Sequence, residues 1–459
     1  MVSVIHGNLV PFIIRISAQN FFADSQLKPI GFLLHHIASP SPARLEVEDA
    51  MNYTIIGNGI AGVCAIEAIR QLDRDGEIIL IGDEAFLPYS RPMISLVLDG
   101  SLPPEKLPIR SSRFYDDLNI TPLLGHRVAR MDVGRRRIET ENGQSIAYDK
   151  LLIASGADAR AIRADGTDLQ NIFYLRTQDQ VRHIIDSLPA AETALVLGGG
   201  LVGFKAAHSL LARGLKVTML ITSDYPLSMQ VDETAGRMIL AELQEHGLGV
   251  RVGISVTTFE GREKVQRAHL SDGATLACDV VVVGKGVSPS LAFIPESTID
   301  IDHGIVVDPY LRTTAQDVYA AGDVAETFDI ARQTRWINAI WPEAAAQGGI
   351  AGTNMAGRKV AYPGSVGRNV MRVLGLDVMT LGMVNPPDDS GYEVLTKTDP
   401  RRRRYRKLVF RHHVLVGAVL INDIAQGGIL LSLIRNEIPL RIPGRILMDP
   451  AFNFGKLLP

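Results

Sequence analysis

An α/β fold is predicted for this chain of 459 residues by two glycine-rich motifs of one pattern. Each motif directly follows a short apolar run and directly precedes a helical pattern; they read Gly57-Asn58-Gly59-Ile60-Ala61-Gly62 and Gly198-Gly199-Gly200-Leu201-Val202-Gly203. A strand, a tight glycine turn and a helix together let backbone N–H groups and the helix N-terminus hold a pyrophosphate. Two copies therefore predict two Rossmann-like domains and two bound dinucleotides, for which a flavin and a nicotinamide are the natural pair.

Composition favours a globular enzyme and excludes several other classes. The hydrophobic fraction of 46% and the charged fraction of 21% are ordinary, and the net charge of −3 gives no sign of nucleic acid or a membrane surface as a partner. No apolar stretch is long enough to span a bilayer. Cys64 and Cys278 lie too far apart for a C-x-x-C motif, so we expect no metal site and a cytoplasmic protein.

Residues 1–50 differ from the rest of the chain. They end in the turn-rich stretch Ser39-Pro40-Ser41-Pro42, and Met51 stands two residues before the strand Tyr53-Thr54-Ile55-Ile56 that feeds the first motif. We expect this segment to be either a disordered extension or an artefact of an upstream start site. A signal peptide is disfavoured because the apolar stretch near its beginning is broken by Pro11 and lacks a basic segment before it.

An acid follows the second predicted strand, Ile78-Ile79-Leu80-Ile81. About 20 residues beyond a first glycine motif, an acid is expected to bind the adenosine ribose hydroxyls. Asp83 is the first choice for this role and Glu84 the second. The alternative is that both are simply acids of an exposed loop.

Three further segments carry a resemblance to a known superfamily. They read Pro88-Tyr89-Ser90-Arg91-Pro92-Met93-Ile94-Ser95, Tyr148-Asp149-Lys150-Leu151-Leu152-Ile153-Ala154-Ser155-Gly156-Ala157 and Tyr319-Ala320-Ala321-Gly322-Asp323-Val324. In this order they resemble the signatures of the FAD-dependent NAD(P)H oxidoreductases with two dinucleotide folds. This superfamily includes ferredoxin and rubredoxin reductases and the flavin part of the nitrite reductase large subunit, and the match covers about residues 51–435.

The resemblance implies an FAD domain that is interrupted by an NAD(P)H domain and followed by a C-terminal α+β domain. We place FAD-binding segments at residues 51–160 and 285–365, the NAD(P)H-binding domain at 161–284 and the C-terminal α+β interface domain at 366–459. The last of these is predicted to be an antiparallel sheet with a helix, because short runs of apolar residues precede a helical pattern near residue 430. In relatives it supports oligomerisation or partner docking, so a hetero- or homo-oligomer is expected.

The resemblance also implies cofactor contacts. Asp323 would bind the ribityl hydroxyls, while the Val324 N–H faces the flavin phosphates. The helix that begins at Trp341 and carries Glu343 would point its dipole at flavin N1 and O2 and stabilise negative charge there on reduction; the alternative is a plain packed helix. Further cofactor contacts are expected from motif and flanking residues, namely Arg91, Ser95, Val128, Ala154, Ser155, Gly156, Gly286, Gly322 and Ala339.

Position 96 separates subfamilies. Peroxidases and oxidases of the superfamily keep a redox cysteine after the serine of this loop, and many ferredoxin reductases keep a lysine, whereas this chain has Leu96. A thiol cycle is therefore excluded there, and no C-x-x-x-x-C pair exists elsewhere. Electrons must leave the flavin directly, most simply to an iron–sulfur protein.

The second motif departs from the superfamily pattern at Lys205, where relatives usually carry Glu near the nicotinamide. Lys205 could bind the carboxamide or a flavin edge, or answer an acid of a partner; the alternative is a structural lysine. Relatives that prefer NAD place Glu at position 221, which is Ile221 here, and no obvious arginine awaits a 2′-phosphate. NADH is therefore favoured over NADPH, with Asp224 as the possible ribose ligand.

A proline-started basic turn, Arg401-Arg402-Arg403-Arg404, lies between predicted strands of the C-terminal domain. It is either a solvated hairpin or a docking patch for an acidic ferredoxin or iron–sulfur subunit, where steering raises the association rate. Nucleic-acid binding is disfavoured because the run is short and the chain has no positive excess.

These observations predict an FAD-dependent NAD(P)H:acceptor oxidoreductase whose electron partner is an iron–sulfur protein or subunit. Lys205 and Glu343 are the residues expected to serve its chemistry, as positioning groups. Alternatives are a free-standing ferredoxin or rubredoxin reductase, the flavin component of a nitrite reductase-like system, and a non-enzymatic NAD(P)H-sensing flavoprotein.

Overall fold

The computed structural model describes residues 50–387 and 391–457. The expectation for residues 1–50 therefore lies outside the described residues, Ala50 apart. Within the described ranges, no helix combines the length and the apolar character that crossing a bilayer requires.

The first lobe is built from two stretches of the chain. Its first stretch forms β1 (Asn52–Ile56), α1 (Ile60–Leu72), β2 (Glu77–Gly82), α2 (Ile94–Asp99), α3 (Phe114–Asp117), β3 (Ile120–Leu124), β4 (Val128–Asp132), β5 (Arg137–Thr140), β6 (Ser145–Ala147), β7 (Lys150–Ile153) and β8 (Ala157–Ala159).

The second lobe follows as one continuous stretch. It forms β9 (Ile172–Tyr174), α4 (Gln178–Ser187), β10 (Thr193–Leu197), α5 (Leu201–Ala212), β11 (Lys216–Ile221), α6 (Glu233–Glu245), β12 (Gly249–Val252), β13 (Val256–Gly261), β14 (Val265–Leu270), β15 (Thr275–Ala277) and β16 (Val280–Val283).

The chain then returns to the first lobe and ends in a third one. The return forms β17 (Val287–Pro289), β18 (Ile305–Val306), β19 (Val318–Ala320), β20 (Ala325–Asp329), β21 (Thr334–Trp336) and α7 (Trp341–Met355). The C-terminal lobe forms β22 (Arg368–Val373), β23 (Leu376–Gly382), β24 (Tyr392–Asp399), β25 (Arg404–Arg411), β26 (Val414–Ile421) and α8 (Gly427–Arg435). Short 3-10 turns span Arg91–Met93, Pro104–Lys106, Leu188–Ala190, Pro400–Arg402, Gly444–Met448 and Phe454–Leu457.

Each of the first two lobes is organised around a parallel five-stranded sheet. The strand order is β19-β7-β1-β2-β3 in the first and β12-β11-β10-β16-β9 in the second. Strands such as Val280–Val283 are buried throughout, as expected for parallel strands covered on both faces. The chain leaves the first lobe through β8 and returns to it through β17, and these two strands pair antiparallel. These sheets confirm the predicted fold class.

The C-terminal lobe is the predicted antiparallel sheet with a helix, in the order β22-β23-β26-β25-β24. One set of its side chains, including Tyr405 and Ile421, packs in a core shared with the second lobe. Another set, including Leu408 and Phe410, packs with Leu430 of α8. The sheet is thus covered on both faces and is anchored to the second lobe.

Candidate dinucleotide-binding sites

The first glycine motif forms the turn between β1 and α1, and its geometry requires glycine at two positions. Gly57 has a φ of +117° and donates its N–H to the Ile81 carbonyl at 2.8 Å. A Cβ on Gly57 would lie 2.1 Å from the Ala154 oxygen, and one on Gly62 would lie 2.1 Å from the Gly57 oxygen. Gly59 precedes α1 and has open space in its Cβ direction. The helix N-terminus is therefore accessible to a phosphate group.

Two adjoining cavities lie at this turn, at the carboxyl ends of β1, β2 and β7, where ligands bind in sheets of this kind. Cavity A is lined by Ile56, Gly57, Ile81, Asp83, His126, Arg127, Val128, Ser155, Ser290, Ala292 and Phe293. Cavity B is lined by Gly57, Asn58, Gly59, Ile60, Ala61, Asp83, Glu84, Arg91, Pro92, Ala154, Ser155, Gly156, Ala157, Asp158, Arg176, Thr177, Gly322, Asp323, Ala339, Trp341 and Ala344. Because the cavities share Gly57, Asp83 and Ser155, we describe them together as one cleft.

Most of the residues predicted to bind FAD line this cleft, but Gly62, Ser95 and Val324 do not. Ser95 is buried in α2, where its backbone oxygen accepts a hydrogen bond from Ser209 at 2.9 Å. The Val324 side chain is fully buried. The geometry gives Ser95 an interdomain contact, and a cofactor contact from the Val324 N–H stays a prediction.

The two acids after β2 have different surroundings. Glu84 accepts hydrogen bonds from Arg91 at 2.5 Å and from the Tyr89 hydroxyl at 2.8 Å. Asp83 lines both cavities. Glu84 is thus engaged in holding Arg91 in place, which leaves Asp83 as the better-placed acid for a ribose.

Asp323 lies across the cleft, at the end of β19, and is paired with an arginine from the second lobe. Arg176 donates to the Asp323 carboxylate at 2.9 Å and to the Ala157 carbonyl at 2.9 Å. The preceding residue, Gly322, has a φ of +84° and donates its N–H to Gln347 of α7 at 2.8 Å. The Gln347 bond thus fixes the backbone directly before Asp323, and Arg176 holds the Asp323 carboxylate at the lining of cavity B.

Helix α7 brings its N-terminus to the same cleft, since Trp341 and Ala344 line cavity B. It approaches α1 closely: a Cβ on Gly348 would lie 2.1 Å from the Ala61 oxygen, and one on Gly352 would lie 2.2 Å from the Ala65 oxygen. The two helix N-termini therefore meet at one site, where both dipoles favour negative charge.

Glu343 lies in the first turn of α7 but faces away from the cleft. It is fully buried, and its carboxylate binds Arg368, Arg435 and the Tyr362 hydroxyl. Neither cavity is lined by Glu343. A direct role at the cofactor stays a prediction, and the geometry offers an indirect one through α7.

The second glycine motif repeats the first turn between β10 and α5. Gly198 has a φ of +113°, and a Cβ there would lie 2.4 Å from the Gly284 oxygen. A Cβ on Gly203 would lie 2.0 Å from the Gly198 oxygen, whereas the Cβ directions of Gly200 and Gly286 are open. This turn too leaves a helix N-terminus accessible, with Leu201 and Val202 half-buried beside it.

The end of β11 carries the residues that would meet the ribose of the second dinucleotide. Ile221 is buried, and its side chain lies 2.7 Å from where a Cβ of Gly199 would stand. Asp224 is exposed three residues later. At the position where relatives carry Glu, the Ile221 side chain thus packs against the glycine turn. Asp224 is the acid that remains near this end of β11.

Lys205 is the first of three donors, spaced four residues apart along α5 and at its C-terminal end, that bind backbone carbonyls in and just before α2. Lys205 donates to the Pro92 carbonyl at 3.0 Å, and Arg213 donates to the Leu98 carbonyl at 2.8 Å; Ser209 lies between them. Because Pro92 lines cavity B, this bond holds α5, the helix of the second glycine turn, against the edge of the cleft. Burial lowers the pKa of Lys205.

Comparison with known proteins identifies the family. The family model described as pyridine nucleotide-disulphide oxidoreductase matches residues 51–348, and the rubredoxin NAD+ reductase C-terminal domain matches residues 368–438. The chain belongs to the pyridine nucleotide-disulphide oxidoreductase family. It is accordingly an oxidoreductase that uses FAD and NAD(P)H.

The relatives of this chain include an enzyme subunit, a longer enzyme and a reductase whose structure was solved in a complex. Subunit epsilon of the NADH-dependent phenylglyoxylate dehydrogenase of Aromatoleum evansii is 31% identical over 404 residues, which are 87% of this chain and 95% of that protein. The nitrite reductase [NAD(P)H] of Bacillus subtilis is 28% identical over 83% of this chain, which spans only 47% of that protein. The solved putidaredoxin reductase–putidaredoxin complex has a TM-score of 0.81 at 22% identity, covering 89% of this chain and 99% of that one, which shows the shared fold.

The cleft of this family member also contains residues that sequence reasoning missed. They include Asn58, Pro92, Asp158, Arg176 and Thr177 in cavity B, and His126, Arg127, Ser290 and Phe293 in cavity A. Asn58 lies within the first glycine motif and Pro92 within the segment of residues 88–95, so their sequence context could have indicated them. His126 and Arg127 sit in a turn whose sequence carries no motif.

The residues fit FAD, because the cleft is lined by residues at the N-termini of α1 and α7, by Asp83 as an acid for a ribose and by the Asp323 carboxylate. We expect Asp323→Ala to lose most of its FAD on purification, since a hydroxyl partner disappears and Arg176 is left without its counter-ion. FAD-to-protein stoichiometry measures the loss. Asp308→Ala, which removes an ion pair with Arg312 and two hydrogen bonds from backbone N–H groups outside the cleft, is the control. Full FAD content in Asp323→Ala would remove Asp323 from the site.

Proposed function

We propose that this chain takes hydride from NADH at the second glycine turn and delivers electrons singly to an iron–sulfur centre of a separate protein or subunit. The observation that carries the proposal is that Lys205, on the helix of the second glycine turn, donates to the Pro92 carbonyl at 3.0 Å, and that Pro92 lines the cleft of the first glycine turn. Both cysteines of the chain are free, and neither lines that cleft. Bound FAD accepts two electrons as a hydride and can release them one at a time.

The thiols of the described residues are poor redox candidates. Cys64 lies in α1 and Cys278 next to β16 of the other lobe, and both are free. Burial raises the pKa of Cys64 to about 11 and that of Cys278 to about 12, so neither is a thiolate at neutral pH. Leu96 lies in α2 and is 38% exposed, at the position where peroxidases and oxidases of the superfamily keep a redox cysteine. Electrons would therefore leave without a disulfide step, and free thiols are consistent with a cytoplasmic protein.

The chain's own residues would orient and polarise the cofactors. The glycine turns and helix N-termini would hold the two pyrophosphates, Asp83 the adenosine ribose and Asp323 the ribityl chain. Lys205 would fix α5 against the loop before α2 and so set the separation of the two rings. Asp224 at the end of β11, with Ile221 in place of an acid, supports NADH over NADPH.

Two forms of the acceptor are supported by different relatives. The similarity to a dehydrogenase subunit along nearly its whole length supports a chain that is one subunit of a larger enzyme, with the acceptor in another subunit. The rubredoxin-NAD(+) reductase of Pseudomonas putida, 31% identical over 60% of this chain and 72% of that protein, supports a free-standing reductase. A subunit copurifies with its complex, whereas a free-standing reductase works with a diffusing carrier.

The proposal is tested by anaerobic reduction of the purified holoprotein. We expect NADH to bleach the flavin rapidly, and a rubredoxin or [2Fe–2S] ferredoxin then to be reduced in steps of one electron.

Alkylation of Cys64 and Cys278 should leave NADH-dependent dye reduction unchanged, with circular dichroism as the control for folding. Loss of activity in proportion to the modification of one cysteine contradicts the thiol-free route. Slow bleaching by NADH and no transfer to any iron–sulfur acceptor would favour a sensing flavoprotein.

A further inference from the structure

A buried cluster of charges joins the first turn of α7 to the C-terminal lobe. The Glu343 carboxylate is fully buried and binds Arg368, at the start of β22, and Arg435, at the end of α8, the latter at 3.1 Å. The side chain of Arg368 is 19% exposed and that of Arg435 is 37% exposed. One buried carboxylate thus carries two guanidinium partners, and the cluster has a net charge of +1.

The cluster continues toward the cleft through hydrogen bonds between buried groups. The Tyr362 hydroxyl donates to Glu343, and Gln347 donates to that hydroxyl at 3.5 Å. The same Gln347 accepts the Gly322 N–H at 2.8 Å, directly before Asp323. Burial and the Glu343 charge raise the pKa of Tyr362, so the phenol stays protonated and remains a donor.

We infer that the cluster of Glu343, Arg368 and Arg435 sets the reduction potential of the flavin by fixing the positive charge behind the N-terminus of α7. The inference rests on the proposed function, because it needs FAD in the cleft that Trp341 and Ala344 line. Hydride transfer from NADH brings two electrons and one proton, so NAD+ leaves and the bound flavin gains one negative charge. Two partly buried guanidinium groups around one fully buried carboxylate leave a net positive charge that stabilises the added negative charge.

A purely structural role for the cluster would have a different signature. Loss of packing acts in the same direction whichever partner is removed, whereas an electrostatic role reverses its sign with the sign of the charge removed. Arg368→Gln and Arg435→Gln lower the net charge of the cluster, and Glu343→Gln raises it. Glu343→Gln combined with Arg368→Gln restores the net charge of +1.

The experiment measures the ratio of reduced to oxidised flavin in the holoprotein at a fixed NADH/NAD+ ratio. In the two arginine variants this ratio should fall by about three- to tenfold, and in Glu343→Gln it should rise by a similar factor. For a two-electron couple a tenfold change corresponds to about 30 mV. The double variant should return close to the wild-type ratio.

Arg372→Gln is the matched control. Arg372 lies on the same strand as Arg368 but forms an exposed ion pair with Asp377 at 3.0 Å, so its loss should leave the ratio unchanged. Arg435, being partly exposed, is the variant best able to fold if a change at the fully buried Glu343 is not tolerated. Shifts of one sign in all variants, or no shift in Arg435→Gln that retains full FAD, overturn the inference while leaving the proposed function intact. A wild-type chain that binds no FAD overturns both.

Discussion

A Gly59→Ala variant is expected to purify with little FAD, and a Gly200→Ala variant with full FAD that NADH no longer reduces efficiently. Both residues directly precede the first helix of a glycine turn, with φ of −86° and −81°, and both have open space in the Cβ direction. An added methyl group therefore leaves the fold unstrained but occupies the approach of a phosphate to the helix N-terminus. Loss of one hydrogen bond to a charged group costs about 1.5–3 kcal/mol, or about 10- to 150-fold in affinity.

Stoichiometry of FAD and the Kd for NADH measure the two effects separately. Gly428→Ala in α8 is the control, because its Cβ direction is equally open and it lines neither cavity. Dithionite should still reduce the flavin of Gly200→Ala, since only access of the nicotinamide is altered. If Gly59→Ala retains FAD and loses NADH affinity, the assignment of the two turns is reversed.

The fold was predictable because its determinants are local. Gly57 and Gly198 have positive φ, and each lies in contact with the backbone that follows a neighbouring strand. Only glycine fits such a position, so a short motif of consecutive residues is enough to predict each turn. The apolar runs that form β25 and β26 are followed by the helical pattern of α8, and these runs predicted the C-terminal sheet and its helix. The periodicity of apolar residues and the turn residues between the runs are therefore enough to predict the secondary structure of such lobes.

The site was only partly predictable because much of it is assembled from distant segments. Arg176 meets Asp323, and Glu343 meets Arg435, across 147 and 92 residues of sequence. The sequence around each of these residues gives no indication of its partner. Lys205 shows the reverse case, in which a departure from the superfamily pattern was visible but its contact with a backbone carbonyl of another lobe was not.

The basic turn before β25 divides into residues with different surroundings. Arg403 pairs with Glu242 of α6, a carboxylate that is fully buried and that also accepts the Gly375 N–H. Arg401 is exposed, and Arg402 forms an exposed pair with Asp399 at 4.0 Å. The turn is therefore neither wholly a solvated hairpin nor wholly available for docking, since one arginine binds the second lobe.

Arg403→Gln is accordingly expected to lower the free energy of unfolding by about 1–3 kcal/mol. Removal of one partner of a buried pair costs about 3–5 kcal/mol, and the smaller figure applies because the Arg403 side chain is itself 45% exposed and screened. Thermal unfolding of the holoprotein measures the change. Arg401→Gln, which removes the same charge from the same turn, should change stability by less than about 0.5 kcal/mol.

The same pair of variants separates anchoring from steering. If the exposed arginines steer an acidic iron–sulfur acceptor, Arg401→Gln should slow electron transfer to that acceptor at low salt, and the difference should vanish as the Debye length falls from about 10 Å at 0.1 M salt to about 3 Å at 1 M. Loss of Arg403 should instead lower stability at every ionic strength, because Glu242 is buried. Equal stability of the two variants would mean that Gly375 and His246 satisfy Glu242 unaided, and that the contact between the C-terminal lobe and α6 depends on its apolar core alone.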